Sequence, residues 1–184
     1  TKRGITRSVA LSSTMRRFEI NLADSDRGVY ESLDLRVAQH PSEGDAYLVA
    51  RMLARCLEHA EGFEFSPGGV SDDEFPAIVQ RDLTGQILAW IEVSSPSPDR
   101  LHKVMKKYKR VAVYTWKNPE KLVEAIVERD VYRADELEVY AFEQAMLEDI
   151  AKTLDRVNKW ELAVTGGSIY LTAGDKAFET SARR

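Results

Sequence analysis

Apolar and polar residues alternate from Phe18 through Ile20 to Leu22, with Glu19 and Asn21 between them, which is the period-two mark of a strand buried on one face. Val29, Leu33, Leu35 and Val37 predict a second strand. The Asp, Ser and Gly residues of 23–28 supply a turn, so the two strands form a hairpin. His40-Pro41-Ser42-Glu43 then stops the pattern. Ser42 has the chemistry of an N-cap, which places Glu43 in the first turn of a helix carrying Leu48, Met52, Leu53, Cys56 and Leu57 at helical spacing and ending near Gly62. A short strand at Phe63 to Phe65 leads into the turn cluster Ser66-Pro67-Gly68-Gly69 and the acidic loop Ser71-Asp72-Asp73-Glu74.

Further along, 78–82 and 86–94 read as two strands joined by Leu83-Thr84-Gly85, the second apolar enough to be central. Leu101, Val104, Met105 and Tyr108 form the apolar stripe of a helix, and the β-branched and aromatic run Val111 to Trp116 is another buried strand. A helix at 119–127, a strand at 137–140, a helix at 142–154 and a hairpin over 160–172 complete the order. A strand, helix and strand across 86–116 imply a parallel pair with a right-handed crossover. The chain is therefore expected to be a mixed α/β protein with a single domain over 9–184, preceded by a flexible leader at 1–8.

Composition narrows the class. The chain has 184 residues, 43% of them apolar, and its longest uncharged apolar stretch, 86–91, is strand length. A membrane span needs about 20 such residues, so the expectation is a soluble protein. No secretory signal opens the sequence, which gives a cytoplasmic location by default. The one cysteine, Cys56, sits among helical apolar positions and reads as a small buried hydrophobe. Net charge is −4, yet residues 1–17 hold five bases and no acid, and 100–110 hold six bases and no acid. The second segment is either a solvated helix surface or a phosphate-binding face.

Known phosphate loops of the GxGxxG or GxxxxGK[ST] type are absent, and His40, His59 and His102 lie far apart without ligand spacing. The acids are more informative. Glu92 is embedded in the apolar strand Ile87 to Val93, where an isolated charge is costly, so it must be paired, ligated or at an open strand end. Carboxylates converging from a helix start (Glu43), a loop (Asp73, Glu74) and a strand end (Glu92) are the oxygen donors that Mg²⁺ or Mn²⁺ takes. Alternatively Glu43 complements the helix dipole, Asp73 and Glu74 are solvated, and Glu92 pairs with a lysine of the next helix. That helix carries Arg100, Lys103, Lys106 and Lys107 at three- and four-residue spacing, hence on one face that could bind a phosphate backbone.

Asn21-Leu22-Ala23-Asp24-Ser25-Asp26-Arg27, His40-Pro41-Ser42-Glu43, Asp73-Glu74-Phe75-Pro76, Trp90-Ile91-Glu92-Val93 and Arg100-Leu101 occur in that order, and together they resemble the YaeQ family of small bacterial proteins over roughly residues 11–180. The resemblance implies a variant of the PD-(D/E)XK nuclease-like fold: a central mixed sheet flanked by helices, with an additional sheet from the N-terminal and C-terminal strands. It also implies a divalent-metal site for phosphodiester hydrolysis of a nucleic acid. Carried onto this sequence, Glu43 matches the helix acid, Glu92 the second acid of the motif, and Glu74 or Asp73 the first. Two departures stand out: the usual DEP reads Glu74-Phe75-Pro76, and Ser94 occupies the position of the motif lysine. Lys103 or Lys106 could substitute for that lysine, with Arg100 and Lys107 binding phosphate. The competing expectation is a non-catalytic nucleic-acid-binding or regulatory protein that keeps the fold without the activity.

Overall fold

The computed structural model describes residues 12–67 and 74–182. The leader at 1–8, the Gly68-Gly69 turn and Asp73 lie outside them. Among the described residues ten strands and four α-helices follow one another as β1 (Thr14–Asp24), β2 (Val29–Gln39), α1 (Asp45–Leu57), β3 (Phe63–Phe65), β4 (Ile78–Arg81), β5 (Ile87–Val93), α2 (Pro98–Lys107), β6 (Arg110–Thr115), α3 (Pro119–Glu128), β7 (Glu138–Ala141), α4 (Gln144–Ala151), β8 (Val157–Thr165), β9 (Ser168–Ala173) and β10 (Lys176–Ser181).

The strands divide into two five-stranded sheets, ordered β10-β9-β8-β1-β2 and β3-β4-β5-β6-β7. In the first, the β1–β2 hairpin pairs antiparallel from Thr14↔Gln39 to Asp24↔Val29, and β1 also runs parallel to β8. This sheet is thus built from both ends of the chain. In the second, β4 pairs antiparallel with β5, while β5, β6 and β7 are parallel. The β5–α2–β6 crossover is the parallel unit that the sequence pattern implies.

Helix α1 explains how the layers join. Every residue from Leu48 to Cys56 is buried, Arg51 and Arg55 included, so this part of the helix has no solvent face. One core cluster contains Phe18, Ile20 and Trp160 from the first sheet, Leu48, Met52 and Leu53 from α1, Leu147 from α4, and Ala89, Ile91 and Val93 from β5. A second contains Trp90, Val111 and Val113 with Leu101, Met105, Leu122 and Ile126 from α2 and α3. Alternation along β5 therefore sends odd-numbered side chains towards α1 and even-numbered ones towards α2. Trp90, Trp116 and Trp160 are all buried, and so is Cys56, whose thiol is pushed up to about 12 by burial.

The segment Asn21–Arg27 is a clamp. Asp24 is buried and accepts from the Arg27 backbone N–H and Nε, while the Arg27 guanidinium donates to the carbonyls of Cys56 and His59 at the end of α1. Asp26 accepts from the backbone N–H groups of Gly166 and Gly167 in the β8–β9 turn. Three chain segments are thereby tied at one end of the molecule.

Several boundaries differ from the sequence expectation. Helix α1 starts at Asp45 with Gly44 as N-cap, so Glu43 precedes the helix rather than sitting in its first turn. The Ser42 hydroxyl is engaged instead by His40 Nδ1, at 2.6 Å. The helix ends at Leu57, several residues before Gly62, and α4 covers only Gln144–Ala151. Strand β10 was not anticipated, because its single large apolar residue, Phe178, leaves no alternation to read.

Candidate functional site

Two of the acids singled out from the sequence lie near the C-terminal ends of β5 and β6: Glu92 within the last residues of β5, and Glu43 beside Ser94 and Trp116, which directly follow the two strands. Ligands of open α/β sheets characteristically meet the strands at this edge. Glu92 shares the face of β5 with Trp90, the side covered by α2. Its Oε1 accepts from Trp90 Nε1 at 2.8 Å and from Arg100 Nε at 2.5 Å. Arg100 comes from the first turns of α2, which starts with Pro98 and is capped by the Ser97 hydroxyl accepting from the Arg100 N–H. The guanidinium also donates to the Phe75 carbonyl at 3.0 Å and lies over the Trp90 ring. Glu92 is therefore paired, as an embedded carboxylate must be, but its partner is an arginine and not one of the lysines. Arg100 correspondingly acts as a counter-ion and loop holder.

Glu43 reaches the same sheet end from the α1 side. Its side chain is fully buried and forms an ion pair with buried Arg51 at 2.9 Å, while Oε2 accepts from the His40 N–H and from Arg51. Burial raises the Glu43 carboxyl above its ordinary range, a push that the Arg51 guanidinium only partly offsets. Glu43 and Glu92 thus belong to opposite faces of the sheet, each closed by its own arginine. They come together electrostatically at the Tyr47 phenol, which feels both carboxylates and both guanidinium groups. Its hydroxyl is pushed up to about 12, first of all by burial.

A cleft of about 390 Å³ opens here, lined by Glu43, Tyr47, Ser94, Trp116 and Lys117 among others. Ser94, at the position of the motif lysine, takes φ +93°, a conformation that costs a non-glycine residue on the order of 1–3 kcal/mol and is stored preferentially at functional sites. Lys117 was not singled out from the sequence, since it follows a strand as an isolated base. Arg51 was also missed, although a cation within Leu48-Val49-Ala50-Arg51-Met52-Leu53-Ala54 carries the same signal as Glu92: buried charge requires a partner.

The basic helix divides in two. Arg100, Lys103 and Lys107 line a second groove of about 500 Å³ with Glu74, Asp99, Trp90 and Tyr108. Lys106 is exposed as well but does not line this groove. Trp90 and Tyr108 stack at 4.8 Å in its wall, and Lys107 Nζ lies 5.3 Å from the Tyr108 ring centroid. Lys103 and Lys107 are exposed at the rim.

Divalent metal fits these side chains poorly. Where a cation would sit against Glu92 and Glu43, guanidinium groups already sit, and among the described residues no three His, Cys, Asp or Glu side chains gather closely enough to hold one. No helix of the described residues is long and apolar enough to cross a membrane.

The fold and the site define a mixed α/β protein of two sheets whose sheet-end carboxylates are closed by arginines. The chain belongs to the YaeQ family, whose model matches residues 9–182. It is 33% identical over 108 residues to the uncharacterised protein YaeQ of Escherichia coli (strain K12), a match spanning 59% of each chain. Among solved structures, the YaeQ protein from Pseudomonas syringae superposes with a TM-score of 0.86 at 31% identity, covering 93% of this chain and 94% of the other. That from Xanthomonas axonopodis pv. citri gives 0.85 at 27% identity, covering 93% and 97%.

Proposed function

We propose that the protein is a non-catalytic nucleic-acid-binding relative of the PD-(D/E)XK nucleases, one that keeps the fold and has turned the acid positions into structural ion pairs. The observation that carries this reading is the pair of closed carboxylates, Glu92 with Arg100 and Glu43 with Arg51. A nuclease of this type needs open oxygen donors for its metal. The parallel β5–β6 pair with an acid near the end of β5 supports the inherited architecture. Lys103 and Lys107 on the rim of the α2 groove, with Lys106 beside them, supply the phosphate contacts.

Fluorescence anisotropy with labelled single- and double-stranded oligonucleotides tests the reading. Three lysine contacts predict an affinity that falls with salt at a log–log slope of about −2 to −3. Lys103→Glu with Lys107→Glu should abolish binding, without cleavage of the oligonucleotide in Mg²⁺ or Mn²⁺. Absent or salt-insensitive binding would leave α2 as a solvated face.

A hydrolytic reading retains one specific observation: Glu43, strained Ser94 and Lys117 line one cleft. Under it, Glu43 and Glu92 with Glu74 or Asp73 would bind Mg²⁺ or Mn²⁺. Calorimetric titration of Mn²⁺ separates the readings, since saturable binding by the wild type that is lost in Glu92→Ala supports hydrolysis and no binding supports the non-catalytic protein.

A further inference from the structure

A concavity of about 1100 Å³ uses none of the α2 lysines. It is lined by α3 (Glu120, Val123, Glu124), β7 (Val139, Ala141), Phe142 and Glu143, and by β10 (Glu179 to Ser181). Two features set it apart from an ordinary surface dip. First, β7 and β10 are each the terminal strand of a sheet, so two sheet edges border one groove. Phe142 N–H donates to the Thr115 carbonyl on β6. By the two-residue alternation of a strand, the backbone groups of Val139 and Ala141 then point away from β6 and into the groove. Both residues line it. Such an edge is a template for another strand. Second, the charge is one-sided: among the described residues Glu120, Glu124, Glu143 and Glu179 line the groove and no Lys or Arg does. Val123 contributes an apolar contact, being 46% exposed on α3. The volume slightly exceeds the roughly 300–1,000 Å³ of small-molecule pockets.

We propose that this groove takes an extended, basic segment of a partner polypeptide, added as a strand to the edge of β7. Strand addition accounts for the outward backbone groups, and lysine or arginine side chains alternating with small apolar ones match the glutamates and Val123. Affinity then comes from main-chain hydrogen bonds, and charge selects the partner.

The test uses a short labelled peptide alternating lysine with valine and threonine. Controls are a glutamate counterpart and a lysine–proline peptide of equal charge that cannot pair as a strand. Saturable binding of the first peptide alone is expected, with slowed amide exchange at Val139 and Ala141. Ala141→Pro removes an outward donor while sparing the ladder to β6, and should weaken binding by about tenfold. Glu124→Lys with Glu179→Lys, both exposed positions, should weaken it at least as much. Equal binding of the lysine–proline peptide, no binding at all, or unchanged exchange at the β7 amides would overturn the proposal. Should Ala141→Pro fail to fold, the charge-reversed pair and the exchange measurement decide it.

Discussion

Arg100 Nε lies 2.5 Å from Glu92 Oε1 across the β5–α2 connection, and the same guanidinium holds the Phe75 carbonyl. One side chain therefore joins a strand, a helix and the segment before β4. Arg100→Met should destabilise the fold by about 3 kcal/mol, the lower end for breaking a buried pair, because Arg100 is itself a quarter exposed. Arg100→Met combined with Glu92→Gln should recover part of that loss. Urea denaturation of the two variants checks both statements, and a double variant no better than the single one would assign the cost to packing alone.

The Glu43 carboxyl is raised above its ordinary value of 4.5, chiefly by desolvation. In the folded state it keeps its proton to higher pH than in the unfolded chain. Its contribution to stability therefore falls as pH climbs from about 4.5 through the raised value and is flat above it. The stability difference between wild type and Glu43→Gln, measured by chemical unfolding from pH 4 to pH 8, should accordingly shift against the wild type across that window. A difference that shifts in its favour would mean that Arg51 dominates over burial.

Ser94 at φ +93° should tolerate, and gain from, glycine. Ser94→Gly is expected to stabilise the chain by about 1 kcal/mol, since the strain relieved exceeds the entropy glycine adds to the unfolded state. The readout is a rise in thermal midpoint.

Gly62 shows the opposite constraint. It takes φ +86°, and a Cβ there would stand 2.1 Å from the Arg81 carbonyl oxygen, whose residue also donates its N–H to Gly62 O. Gly62→Ala should cost on the order of 3 kcal/mol, because backbone and not a flexible side chain blocks the methyl group. Circular dichroism melting would register this loss.

The elements were legible wherever a period was sustained. Phe18, Ile20 and Leu22 announce β1, and Ile87 to Val93 announces a central strand, because one face or both faces are buried. The start of α1 was misread because Ser42 spends its hydroxyl on His40, leaving Gly44 to open the helix without a side-chain cap. At the candidate site, the need for a partner to Glu92 was readable from its apolar surroundings, but the identity of that partner was not. Helical spacing treats Arg100 and Lys103 alike; only the crossover geometry gives the reach to the arginine. The separation of Glu43 from Glu92 depends on which face of β5 each approaches, a tertiary property that no local pattern records.

The parallel pairing of β1 with β8 sets the timetable of synthesis. Phe18 lies opposite Asn158, and Asp24 opposite Val164, so a ribosome has made most of the chain before β1 acquires its second neighbour. Until then the β1–β2 hairpin carries Phe18 and Ile20 without Trp160 to cover them, and α1 has only part of the shell that buries it. A nascent chain stalled before residue 157 would expose an unpaired strand and an apolar face together, the combination that holding chaperones recognise.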